Sequence, residues 1–124
     1  MLRTVHGLFA ALLLCASVAV AAQALPAKKS ADGTWTDTAG MTLYVFDRDA
    51  GGKSACNGPC AINWPPLMVM GTGAASGDWT IIVREDGGKQ WAFKGKPLYT
   101  WSKDQKPGDK TGDGVNSVWH VARE

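Results

Sequence analysis

The stretch "MTLYVFDRDAGGKSACNGPC", residues 41–60, and its partner "KPLYTWSKDQKPGDKTGDGV", residues 96–115, decide how the chain is read. Both carry the frame Leu-Tyr-x-aromatic-x-x-Asp, first at Leu43 to Asp49 and again at Leu98 to Asp104. An offset of 55 takes Gly40 to Gly95, Leu43 to Leu98, Tyr44 to Tyr99, Phe46 to Trp101, Asp49 to Asp104 and Trp64 to Trp119. One register kept without a gap, mostly at aromatic and glycine positions, marks an internal duplication. Two copies are too few for an open solenoid, so they are expected to close on each other as one domain.

Side chains alternate faces along a strand, so Tyr44 and Phe46 share one face and Leu43 and Val45 the other. Tyr99 and Trp101 form the matching pair in the second copy. Trp64 and Trp119, each twenty residues beyond its tyrosine, can close over these rings. The aromatic residues are therefore expected to build a core shared between the copies. The aspartate ending each frame is expected to cap a turn through backbone N–H groups.

Working outward, Trp35 leads through a glycine turn into Met41 to Phe46, and Trp91 leads through Gly95 into Leu98 to Trp101. Trp79 to Arg84 (WTIIVR) reads as the best strand, turned at Asp86-Gly87-Gly88 into Lys89 to Phe93. Gly71 to Gly77 is a linker, and Pro107 to Asn116 a loop. A short helical turn is expected within Cys56 to Asn63. The fold class is mainly β: a small single domain of about seven short strands, in two pseudo-symmetric antiparallel repeats near 34–70 and 80–123.

Residues 1–24 read as a signal peptide. Arg3 precedes an apolar run from Leu8 to Val20, and Ala22-Gln23-Ala24 offers the small-x-small pattern, which places cleavage after Ala24. Leu14 before Cys15 argues against lipidation there. The mature chain, 25–124, then keeps 12 Lys and Arg against 11 Asp and Glu and has no basic run with interleaved aromatics, which argues against nucleic acid. It has no candidate membrane span, and a periplasmic or secreted location follows from the leader. Export leaves Cys56 and Cys60, whose close spacing in an oxidising compartment reads as a disulfide.

The frames at Tyr44 and Tyr99, Ser54-Ala55-Cys56 with Cys60-Ala61, Trp64-Pro65-Pro66, Lys89-Gln90-Trp91 and Trp119-His120-Val121 resemble one family. It is the secreted repeat of unknown function, also described as lipoproteins with a Y-x-(F/W/Y)-x-x-D motif. The resemblance spans about residues 34–123. It implies an exported bacterial protein of two repeats and no established activity.

The mature chain has one histidine, His120, and no nucleophile–base set or carboxylate pair that supports enzymatic activity. Cys56-x-x-x-Cys60 with His120, Met68 and Met70 allows a copper or redox reading, since thiolates, imidazole and thioethers are soft ligands. Asp109-Lys110-Thr111-Gly112-Asp113-Gly114 partly matches a calcium loop, but His120 stands where its bidentate glutamate belongs. The expected function is non-enzymatic binding or structural work with a cell-envelope partner, without a cofactor. Carbohydrate binding on the aromatic rings is a further alternative.

Overall fold

The computed structural model describes residues 7, 10–13 and 25–124; the proposed cleavage site at Ala24 and the cysteine at position 15 lie outside these. Among the described residues no helix is long and apolar enough to cross a membrane. The chain runs β1 (Ala27–Lys29), β2 (Trp35–Asp37), β3 (Tyr44–Phe46), α1 (Pro59–Asn63), β4 (Trp79–Val83), β5 (Lys89–Phe93), β6 (Lys96–Pro97), a 3-10 turn (Val115–Ser117) and β7 (Trp119–Val121). The class is mainly β, in two repeats, with the short helix inside the stretch 56–63 where a helical turn was expected.

Each copy opens with an antiparallel hairpin. β1 pairs with β2, placing Lys29 opposite Trp35, and β4 pairs with β5, placing Ile81 opposite Trp91. The first copy thus extends back to Ala27, ahead of the boundary near residue 34. Strand β1, Ala27-Lys28-Lys29, has no apolar alternation, and its pairing with β2 defines it. The turn after β5 places Lys94 at φ 49 and Gly95 at φ 81, the left-handed pair of a two-residue hairpin turn. The first copy's turn is one residue longer, since Trp35 precedes Leu43 by eight positions and Trp91 precedes Leu98 by seven. The second frame is also less extended than its sequence suggests: Leu98 still donates to the Trp91 carbonyl at 3.0 Å, but Tyr99 makes only isolated bridges to Tyr44 and Pro66, whereas Tyr44–Phe46 has β7 along its length.

The copies exchange their last strands. In copy one, Leu67 donates from its N–H to the Leu98 carbonyl at 2.9 Å and accepts from the Trp91 N–H at 2.9 Å, both in copy two. Copy two reciprocates: Ala122 N–H donates to the Leu43 carbonyl at 2.8 Å, and its own carbonyl accepts from the Trp35 N–H at 2.9 Å. β7 also pairs along β3, with Phe46 opposite Trp119. Between these crossings Tyr44 and Tyr99 bond each other's backbone, N–H to carbonyl, at 2.8 and 3.0 Å. The pseudo-twofold relation passes through this pair.

Two apolar clusters lie on opposite faces of that centre. One gathers Leu43, Leu98, Trp35, Trp79, Trp91 and Phe93; the other gathers Tyr44, Tyr99, Trp64, Trp119 and Cys56, with Phe46 and Trp101 packed against it. The alternation within each frame is thus the reason for two cores. Each tryptophan trio supplies volume that a chain this short otherwise lacks.

Candidate functional site

The frame residues meet across the copies. Tyr44 donates its phenol proton to Asp104 Oδ2 at 2.6 Å, and Tyr99 donates to Asp49 Oδ2 at 2.7 Å. The second oxygen of each carboxylate caps its own loop: Asp49 Oδ1 accepts the Ala55 N–H at 2.7 Å, and Asp104 Oδ1 accepts the Thr111 N–H at 3.0 Å. The expected capping role is present, and a second role accompanies it. Both tyrosines are completely buried, and burial pushes each phenol well above its ordinary value, reinforced by the carboxylate that accepts its proton. Burial likewise raises Asp49, against the Ala55 and Tyr99 hydrogen bonds and the charge of Arg84.

Above the tyrosines the rings form one stack. Phe46 lies on Trp119 at 4.2 Å between centroids, Trp119 on Trp64 at 3.8 Å and Trp64 on Trp101 at 3.9 Å. Exchanging the copies maps this order onto its reverse. Tyr44 meets Trp64 edge-on at 5.3 Å, and Tyr99 meets Trp119 edge-on at 5.1 Å. The inner indoles each have both faces covered, which makes them core rather than an open platform. Gly112 lies against this stack; a Cβ there would stand 2.8 Å from Trp64 and 3.0 Å from Trp101.

The two loops after the frames differ. The first, through Cys56 and Cys60, is closed by their disulfide, with Cα atoms 5.2 Å apart. It is further held by Arg84, a buried cation that sequence reasoning treated only as the end of a strand. Arg84 donates to Ser54 Oγ at 3.0 Å, Gln90 Oε1 at 2.7 Å and the Cys56 carbonyl at 2.7 Å. Ser54 lies 2.7 Å from Tyr99 Oη; because the phenol proton goes to Asp49, the serine hydroxyl is the donor there. The one available signal was position: period-two alternation from Ile82 places Arg84 on an inward face. The second loop has no buried cation. Its Asp109 accepts from the Gln105 and Lys106 N–H groups, and these bonds hold its carboxyl below the ordinary range.

The candidate metal ligands are dispersed. Cys56 and Cys60 are bonded to each other, while His120 Nε2 lies 2.7 Å from Asp47 Oδ2. Met68 and Met70 border a different cleft, beside Trp91. Asp113 Oδ1 accepts from the Val121 N–H at 3.1 Å, away from the Asp109 contacts. Among the described residues no three His, Cys, Asp or Glu side chains are placed to share a metal ion.

A cleft of about 360 Å³ opens along the side of the stack, lined by Phe46, Arg48, Asn63, Trp64, Asn116 and Trp119. A second, of about 380 Å³, lies between Val45, Leu98 and Ala122, with Lys94, Lys96 and Arg123 at its rim.

A family model described as a secreted repeat of unknown function matches residues 27–68 and 80–123. No curated protein and no solved structure matches the chain.

Proposed function

The chain belongs to the family of secreted repeats of unknown function, and from that premise we propose that it is a non-enzymatic binding or structural protein of the cell envelope. The supporting observation is the use made of the motif. Its two tyrosines and two aspartates are engaged with each other across the copies, so the polar groups of the frame hold the fold. A general acid or base has to reach a substrate, and these phenols are buried with their protons already placed. The unlike loops, 50–60 and 105–115, are carried outward on that frame, and with the residues at their bases they supply the surface on which the two copies differ. The periplasm, or the outer face of the envelope, is the expected setting.

The test is retention of the exported protein on isolated envelopes. Saturable retention is expected, and replacing the exposed Arg48, Lys53, Gln105 and Lys106 side chains by serine should abolish it without lowering thermal stability. Retention that survives these replacements, or that never saturates, contradicts the reading.

A further inference from the structure

We propose that the cleft beside Phe46 binds a carboxylate-bearing sugar residue; this rests on the envelope-binding reading and names a ligand class for it. Three observations carry it. Arg48 is the one charged residue among those lining this cleft, and it is exposed. The ion pairs among the described residues, Lys29 with Glu124, Lys110 with Asp32 and His120 with Asp47, leave it out.

The second observation concerns the rings. Trp64 is sandwiched by Trp101 and Trp119, and Trp119 by Trp64 and Phe46, so both indoles offer the cleft their edges. An aromatic edge is the positive end of the ring quadrupole. Indole edges beside a guanidinium favour an anionic group, and Phe46, which ends the stack with Trp119 on one face, can carry the sugar ring on the other. The planar guanidinium in turn matches a carboxylate through two parallel hydrogen bonds.

The third is the pair of amides. Asn63 and Asn116 are exposed at the same cleft, and each amide offers donors and an acceptor, as neighbouring hydroxyls require. Asn116 and Ser117 are both left-handed, at φ 51 and φ 61, although neither is glycine. The equivalent stretch of copy one is the regular α1, so the duplication itself does not demand that backbone. Strain of this kind gathers where a binding surface has to be shaped.

The two ends of the stack are not alike. Lys103, which the offset of 55 equates with Arg48, lies over the Trp101 ring at 5.6 Å. The cation at that end is engaged with its own ring, while Arg48 faces the cleft. A volume of about 360 Å³ is at the small end of ligand sites and suits one or two sugar rings.

The test uses isotope-labelled exported protein, titrated separately with galacturonate oligomers, glucose oligomers and a poly-glutamate peptide, and read by amide and indole chemical shifts. Galacturonate oligomers should produce saturable shifts at Asn63, Asn116 and the Trp119 indole, and glucose oligomers should not. Arg48→Gln should weaken the response by about tenfold or more, while Lys103→Gln leaves it unchanged. Absent shifts, an equal response to glucose oligomers, tighter binding of the peptide, or an unaffected Arg48→Gln variant would each overturn the proposal. Envelope retention that persists in Arg48→Gln would remove this ligand class and leave the envelope role standing.

Discussion

Tyr44 Oη lies 2.6 Å from Asp104 Oδ2, a partner sixty positions away in the other copy of the repeat. Tyr99 and Asp49 make the same bond in the opposite sense. A motif that reads as one short frame is therefore satisfied only when two frames meet, and neither copy holds its own pair.

The buried phenols make the protein sensitive to alkali. Each is raised far above its ordinary value near 10, so the folded chain keeps protons that the unfolded chain releases. Their stabilisation is complete below pH 10 and is lost as pH rises through the raised values. Denaturant unfolding followed above pH 10 should show a steep fall in stability, shallower in Tyr44→Phe and Tyr99→Phe. An equal slope in all three proteins would contradict the burial argument.

Arg84→Met should destabilise by about 3 kcal/mol, because Ser54, Gln90 and the Cys56 carbonyl lose a charged donor together. Hydrogen exchange should quicken at residues 54–57, the loop that Arg84 ties down, before it quickens elsewhere. Uniform quickening across the chain would mean that the cation does not act locally.

Gly112→Ala should cost roughly 1–3 kcal/mol, since the added methyl meets two tryptophan rings that are already stacked. Near-ultraviolet circular dichroism should change with it, as the indole pair moves. A stable variant with an unchanged spectrum would show that the stack yields easily.

Reducing the Cys56–Cys60 bridge should lower stability by about 2 kcal/mol, the figure for a loop of so few residues. The unfolding transition should stay cooperative, because the bridge pins one turn and the copies are held by their exchanged strands. Loss of the transition on reduction would assign the bridge a global role.

Much of this architecture was legible beforehand, for physical reasons. Period-two alternation placed Tyr44 and Phe46 on one face and Leu43 and Val45 on the other, and the two clusters divide along that line. The duplication and the bonded cysteines were legible from spacing, and the helix Pro59–Asn63 falls within the stretch 56–63 where a helical turn was expected. What was not legible is which copy satisfies which. A tyrosine facing its own aspartate and one facing the other copy's give the same sequence, and only the crossing of Leu67 and Ala122 decides between them. Strand β1 was invisible because Ala27, Lys28 and Lys29 have no apolar period, and Arg84 was missed because burial of a cation depends on partners thirty positions away.

The exchange between the copies can be measured by a double-mutant cycle. Stabilities of Tyr44→Phe, Asp104→Ala and the double variant give the coupling across the copies; the same cycle with Asp49→Ala gives the coupling within one frame. A coupling of about 1–3 kcal/mol is predicted for Tyr44 with Asp104, and additivity within about 0.5 kcal/mol for Tyr44 with Asp49. Strong coupling of Tyr44 to Asp49, with none to Asp104, would contradict the interlocked fold.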